Sequence, residues 1–174
     1  KLSARVSGER CDIRGGNGMK YQCALLSVKD VRKSLAFYQK WFEVEVEVDL
    51  GWNIGLKGGL ALQEHFAELL GLPEDSVVEK SHNMELYFET ENLDDFERRI
   101  NEDPTVEKVH SIREYPWKQR VLRIYDLDHH IIEIGESMPM VFRRLVAQGH
   151  TVEETAQLTQ HPVTYVRTVL GARV

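Results

Sequence analysis

The order of secondary structure elements predicted from this 174-residue sequence occurs twice along the chain. The first copy opens with a short apolar segment typical of a buried strand, and Asp30 then provides the N-cap of a helix. That helix is predicted to place on one face Val31, Leu35, Tyr38 and Phe42. Residues 44–48 alternate between apolar and acidic side chains, which predicts a strand with one solvated face. The predicted elements of this copy are 21–28, 30–42, 44–48, 52–56 and 60–64.

The second copy follows a polar connection around 71–73 and has the same order of strand, helix and three strands. Asn92 is the predicted N-cap of its helix, and the buried face of that helix is predicted to hold Leu93, Phe96 and Ile100. The predicted elements are 84–89, 92–102, 108–113, 120–125 and 130–134, with a turn at 126–128. Neither copy alone can cover both faces of its sheet. We therefore predict an α+β fold with two βαβββ modules, at about 20–66 and 82–136.

Two flanking segments lie outside this repeat. Residues 1–18 show no apolar periodicity, and we expect a disordered, vector-derived or upstream-translated leader ahead of a native start at Met19. Residues 137–174 are predicted to be a helical appendage. Its predicted helices are 140–147; 151–158, with a capping box of Thr151 and Glu154; and 162–170, with Pro162 at the first helical position and Gly171 after the end.

Composition excludes several classes of protein. No apolar run approaches the ~20 residues that cross a bilayer, so a membrane protein is not expected. Cys11 and Cys23 form no CxxC pair, which argues against a disulfide framework or a cysteine zinc site and favours a cytoplasmic protein. Residues 19–135 carry 14 basic and 23 acidic groups, a net charge of −9, which opposes binding to nucleic acid.

Three stretches carry a resemblance to a known family: VKDVRKSLAFY at 28–38, LYFETENLDDF at 86–96 and RIYDLDHHIIEI at 123–134. In order and spacing they resemble the vicinal oxygen chelate superfamily, which includes glyoxalase I, bleomycin-resistance proteins, fosfomycin-resistance enzymes and extradiol dioxygenases. The third stretch departs from the family pattern DPDGxxIEL at Leu127 and at His129, where the family has Pro and Gly. We expect His129 to adopt a turn conformation that glycine adopts more easily.

The resemblance implies that the two modules curl their sheets into one curved, barrel-like cup with the helices outside and a ligand or divalent metal inside. The family's four metal positions fall at Cys23, Gln63, Glu85 and Glu133. His65 shares a strand face with Gln63 and is a further candidate ligand, whereas a register shift of one residue would replace this face with that of Glu64. Only Glu133 has the residue type that the family places there. The dioxygenase set is absent and the glyoxalase set is only partly present.

Each of these residues has a simpler interpretation as well. Glu133 lies in an apolar strand, where a carboxylate needs water at a sheet edge, a metal, a ligand donor or an arginine such as Arg123. Glu85 lies either on a solvated strand face or in a pocket, where it could act with Glu133 as metal ligand or general base. His65 is otherwise a surface residue, and Cys23 a small core side chain.

Three functions remain open. The first is a metal-free small-molecule-binding protein that sequesters its ligand, for which the predicted ligand-binding residues are Trp52, Gln63, Tyr87, Trp117, Arg123 and Tyr125. The second is a metal-dependent lyase or isomerase that acts on a small oxygenated substrate through Glu85 and Glu133. The third is a ligand-sensing regulator that contacts a partner through its tail. The tail resembles the helix-turn-helix segments of small regulators over 152–166, but its few basic residues favour packing against the body or against the second subunit of a homodimer.

Overall fold

A computed structural model describes residues 19–171, and the predicted leader therefore lies outside the described residues. The chain divides into two compact units, with the boundary between Glu74 and Asp75. The first unit contains β1 (Ala24–Ser27), α1 (Val31–Phe42), β2 (Val46–Asp49), β3 (Asn53–Leu56), β4 (Leu60–Gln63) and α2 (Phe66–Leu70). Its sheet has the strand order β1-β4-β3-β2, in which β1 is parallel to β4 and the other pairs are antiparallel.

The second unit repeats this topology. After a single 3₁₀ turn at Glu74–Ser76 come β5 (Glu85–Thr90), α3 (Leu93–Glu102), β6 (Lys108–Glu114), β7 (Arg120–Tyr125) and β8 (Ile131–Glu136). The strand order is β5-β8-β7-β6, with β5 parallel to β8. The helices α4 (Met138–Ala147), α5 (Val152–Thr159) and α6 (Val163–Leu170) complete this unit. The predicted α+β class, with two βαβββ modules and a helical C-terminal segment, is confirmed; the cup and the proposed domain boundaries stay predictions.

Local capping chemistry explains where these helices begin. The carboxylate of Asp30 accepts hydrogen bonds from the backbone N–H groups of Arg32 and Lys33, and Asn92 caps α3 through the N–H of Asp95. The capping box predicted for Thr151 and Glu154 is present in α5. The predicted N-caps and the capping box are therefore confirmed.

The apolar face of α1 differs from the predicted one. Its buried residues are Val31, Ser34, Phe37, Tyr38 and Trp41, whereas Leu35 and Phe42 are only half-buried. The helix carries aromatic side chains on neighbouring positions, so more than one stripe satisfies the helical period. The centre of the buried stripe is thus rotated toward Phe37 and Trp41.

Three other local predictions were wrong, and one helix was not predicted. Strand β2 is the outer strand of its sheet and exposes all four residues instead of burying one face. Helix α2 was not predicted; it lies just before the polar connection around 71–73 and ends at Gly71, which has a left-handed φ of 67°. Pro162 is the N-cap of α6 and not its first helical residue. The first tail helix begins at Met138, because Ser137 caps it two residues earlier than expected.

Candidate functional site

One row of side chains crosses all four strands of the second sheet. The register of β5, β8 and β7 places Tyr87 opposite Glu133, and Glu133 opposite Arg123. His110 on β6 is opposite Arg123 and completes the row. Because α3 packs against β7 and β8 with an apolar stripe, the alternation of each strand directs this row to the other face of the sheet.

Arg123 binds both candidate carboxylates. Its Nε atom donates to Glu85 Oε2 at 2.8 Å, and one terminal nitrogen donates to Glu133. The other terminal nitrogen donates to the hydroxyl of Tyr115 and lies 3.3 Å from Nε2 of His110. A single planar guanidinium therefore fixes two carboxylates and a phenol, which is geometry that an ammonium group cannot reproduce.

This contact identifies what compensates the charge of Glu133. Strand β8 is an inner strand and Glu133 is only 9% exposed, so the sheet-edge alternative is wrong. An unpaired carboxylate at this depth would cost several kcal/mol. Of the partners considered from the sequence, the structure places Arg123 there.

The donor set around Glu133 does not fit a divalent ion in this arrangement. Both carboxylates already have a guanidinium as counter-ion, and within either unit of the described chain no three His, Cys, Asp or Glu side chains come together around a possible metal. The five predicted ligands are divided between the units, with Cys23, Gln63 and His65 in the first and Glu85 and Glu133 in the second. Their assembly into one metal site stays a prediction.

An aromatic stack lies beside Arg123. The rings of Tyr115 and Trp117 are stacked with centroids 4.8 Å apart, and the Arg123 guanidinium carbon lies 5.3 Å from the centre of the Tyr115 ring. Both aromatic residues belong to residues 115–119, the connection between β6 and β7, which we call the hairpin tip. A flat cation stacked on aromatic rings is a typical part of a ligand-binding surface.

Gln119 connects the hairpin tip to the row of side chains. Its carbonyl oxygen accepts a hydrogen bond from Nε1 of Trp117 at 2.9 Å. Its amide nitrogen donates to the hydroxyl of Tyr87 at 2.8 Å and to the backbone carbonyl of Glu136 at 2.9 Å. Gln119 is buried, so these bonds satisfy both ends of an amide that has little access to water.

Tyr87 is the exposed aromatic residue of the row, with 49% of its surface accessible. Partial burial, together with a hydrogen bond to Glu89, raises the pKa of Tyr87 to about 12, so its hydroxyl stays protonated near neutral pH. Its ring lies over Gly135, where an added Cβ would be 3.1 Å from the ring and 2.8 Å from the Gln119 amide nitrogen. The glycine therefore makes room for both side chains. We call the surface formed by Glu85, Tyr87, Arg123, Glu133 and the hairpin tip the polar face.

The candidates in the first unit have different surroundings. Cys23 precedes β1 and is exposed, so the expectation that it lies in a buried strand was wrong. Gln63 is buried at the end of β4, where its amide accepts from Asn53 and donates to the carbonyl of Glu64. His65 has a positive φ at the start of α2, and its ring is 4.8 Å from that of Trp52, which is 64% exposed.

Tyr125 is less accessible than a ligand-lining residue should be. It is buried, its hydroxyl lies 2.7 Å from Nε2 of His82, and the ammonium group of Lys80 lies 4.9 Å from the centre of its ring. The nearby His129 has a φ of 65°, which confirms the expected turn conformation. Tyr125 thus lies beneath residues of the preceding connection.

Sequence reasoning missed Tyr115, Gln119 and Glu136. Glu136 could have been found by the argument applied to Glu133, because it also follows an apolar strand segment. No periodic signal identifies Tyr115 or Gln119, since both lie in or next to a turn and their partners depend on strand register.

The model of the glyoxalase-like domain family matches residues 21–139, more than half of this chain. The chain belongs to the glyoxalase-like domain family. The resemblance identified from three sequence stretches is therefore confirmed. Members of this family bind small molecules or act as metalloenzymes.

Solved structures share this fold. A protein of unknown function from Agrobacterium tumefaciens str. C58 is 32% identical, with a TM-score of 0.59, over 70% of this chain and 96% of that chain. A glyoxalase/bleomycin resistance protein/dioxygenase family enzyme from Burkholderia phytofirmans PsJN is 17% identical, with a TM-score of 0.58, over 67% and 97% of the two chains. The fosfomycin resistance protein FosX from Listeria monocytogenes is 23% identical, with a TM-score of 0.52, over 77% and 95%. The last two similarities show the fold alone.

No curated protein matches this sequence. Among the helices within residues 19–171, none is both long and apolar enough to cross a membrane.

Proposed function

We propose that this protein binds a flat, ring-containing small molecule on the polar face without a metal ion. The observation that carries the proposal is the position of Arg123, whose guanidinium lies between two carboxylates and next to the stacked rings of Tyr115 and Trp117. Aromatic rings supply apolar contact area at low entropic cost, while the charged groups give orientation and specificity.

The charge of the polar face indicates the class of ligand. Glu85 and Glu133 outnumber Arg123, and Glu89 adds a third carboxylate next to the hydroxyl of Tyr87. Electron-rich rings in a negative field attract cations. We therefore expect ligands that join an aromatic ring to an amine or amidine in preference to aromatic acids of the same size.

The geometry gives less support to a lyase or isomerase. A general base must be free to accept a proton from its substrate, but both candidate carboxylates accept hydrogen bonds from Arg123. Sequestration of a ligand needs only the surface described above. The cytoplasmic location and the homodimer expected from the sequence remain part of this proposal.

The test replaces Arg123 with lysine. Lysine keeps a positive charge near Glu133 and so limits the loss of stability, but it cannot contact Glu85, Glu133 and Tyr115 together. Binding of a panel of aromatic amines to Arg123→Lys is measured by calorimetry and tryptophan fluorescence. The affinity should fall roughly tenfold or more, which is about 1.4 kcal/mol. Trp117→Leu should weaken binding to a similar extent.

A matched control is available on the outer helix. Arg98 also contacts two carboxylates, those of Asp95 and Glu102, but it lies on the exposed side of α3. Arg98→Lys should leave binding unchanged. Equal binding by Arg123→Lys and the unaltered protein, or a stoichiometric divalent metal in elemental analysis whose removal abolishes binding, would contradict the proposal.

A further inference from the structure

Arg144 on α4 connects the C-terminal helices to the hairpin tip. One terminal nitrogen donates to the backbone carbonyl of Lys118 at 2.6 Å and to Glu136 Oε2 at 2.9 Å. The other lies 3.5 Å from Glu114, at the end of β6. One side chain from the tail thus contacts the hairpin tip, the end of β6 and the end of β8.

Glu136 fixes the position of this arginine. It is 1% exposed and ends β8, next to the start of α4. Its carboxylate also accepts from the backbone N–H of Arg120 at 3.1 Å and lies 3.4 Å from the guanidinium of that residue. A buried carboxylate shared by two arginines leaves each guanidinium little freedom to move.

The carbonyl that Arg144 binds belongs to a constrained turn. Lys118 has a φ of 69°, and two backbone hydrogen bonds between Tyr115 and residues 118–119 close the hairpin tip. A positive φ is unfavourable for a side chain such as that of lysine, so surrounding contacts must hold this conformation. The bond from Arg144 to the Lys118 carbonyl is one such contact, and it is adjacent to Trp117.

The packing of the C-terminal helices supports Arg144. The three C-terminal helices share a hydrophobic cluster built on Phe142, Ala156 and Val166. Pro116 of the hairpin tip borders an open cleft of about 490 Å³, which is otherwise lined by residues of α5 together with His150 before it and Gln160 after it. The tip therefore does not pack tightly on α5, and the polar contact from α4 supports it instead.

We propose that Arg144 is a positioning residue, through which the C-terminal helices hold the hairpin tip so that Trp117 is presented on the polar face. The consequence for ligand affinity rests on the proposed function; the control of the position of Trp117 does not. Because coupling between two sites is reciprocal, a ligand that immobilises Trp117 should also stabilise the C-terminal helices.

The test uses the full chain labelled with 5-fluorotryptophan and needs no ligand. Fluorine NMR should show three resonances, one each from Trp41 and Trp52 in the first unit and from Trp117 in the second. Trp117→Phe assigns the third. Arg144→Gln should move the Trp117 resonance by more than its linewidth and leave the other two in place. The neighbouring exposed arginine provides the matched control, so Arg143→Gln should move none of them.

A second variant keeps the test decisive if Arg144→Gln fails to fold. Arg144→Lys keeps the charge opposite Glu136 but cannot bind that carboxylate and the Lys118 carbonyl together, and it should shift the Trp117 resonance in the same direction by a smaller amount. A folded Arg144 variant with an unmoved Trp117 resonance would overturn the inference. Failure of the proposed function is seen separately: the unaltered protein would then not bind aromatic amines, while the Arg144 variants would still shift the Trp117 resonance.

Discussion

At the scale of single residues, Arg123 shows how a buried charge is tolerated within a sheet. The carboxylate of Glu133 lies on an inner strand, where removing it from water has a large cost unless an opposite charge also forms hydrogen bonds with it. Arg123 on the adjacent strand meets both requirements and still has nitrogens left for Glu85 and Tyr115. The same contacts that stabilise the sheet thus create the polar face.

Gly135 is a second residue on which the polar face depends. A methyl group there would lie 2.8 Å from the Gln119 amide nitrogen and 3.1 Å from the Tyr87 ring, and Gln119 is buried and fixed by three hydrogen bonds. We predict that Gly135→Ala lowers the free energy of unfolding by about 1–3 kcal/mol, measured by urea denaturation.

Gly55→Ala is the matched control for this prediction. Its Cβ would meet Val48 at the same 2.8 Å, but Val48 is an exposed residue of an outer strand and can rotate away. We expect a smaller loss for Gly55→Ala. Equal losses for the two variants would show that Gln119 and Tyr87 are not held as tightly as their hydrogen bonds indicate.

At the scale of elements, the β7–β8 turn is stabilised by one aspartate. Asp126 Oδ1 accepts from the backbone N–H groups of Asp128 and His130, and Oδ2 lies 2.9 Å from Nδ1 of His130. Burial alone would lower the pKa of His130, but the hydrogen bond and the charge of Asp126 outweigh it, and the pKa of His130 is raised above its ordinary 6.5.

The sign of the pH dependence follows from this shift. A histidine whose pKa is higher in the folded state contributes stability that is complete below the unfolded pKa and is lost as the pH rises through the folded value. His130→Asn should therefore reduce the free energy of unfolding more at about pH 5.5 than at about pH 9, by on the order of 1 kcal/mol. The variant His150→Asn controls for other histidines, and a pH-independent loss for His130→Asn would contradict the assignment.

The elements themselves were largely predictable, because each unit repeats apolar patterns of period 2 and period 3.6 that independently indicate strands and a helix. The exceptions have local causes. Helix α2 has only five residues, which is too short for periodicity to detect, and the buried stripe of α1 is ambiguous because Phe37 and Tyr38 are adjacent.

The site was less predictable than the fold. A partner for Glu133 was required by burial, and Arg123 was one of several alternatives, but only the strand register decides which one is opposite. The contact of Arg144 with Glu136 crosses the junction between β8 and α4, where neither strand nor helix period relates the two residues.

Across the full chain, the C-terminal helices contribute buried apolar surface. Phe142 is buried in the cluster shared by α4, α5 and α6, and Val141 and Leu145 on α4 are buried as well, one helical turn apart. Helices of eight to ten residues are marginal in water without such burial. The tail is therefore stabilised by packing. This agrees with the expectation from the sequence, because a tail with only four basic residues next to an acidic body is poorly suited to binding nucleic acid.

We predict that deletion of residues 138–174 exposes apolar surface and removes Arg144 from Glu136, so that the truncated protein aggregates, changes its assembly or unfolds at a lower temperature. Fully buried apolar side chains contribute about 1.5–3 kcal/mol each to stability, and α4 alone contributes three such side chains.

Light scattering and thermal unfolding measure these effects, and light scattering of the full chain decides whether it is the expected homodimer. Deletion of residues 1–18 is the control and should change none of these three properties, because the patterned sequence begins at Met19. A truncated protein with unchanged solubility, stability and assembly, together with a full chain that binds duplex DNA at ~0.15 M salt, would instead assign the tail to nucleic-acid binding.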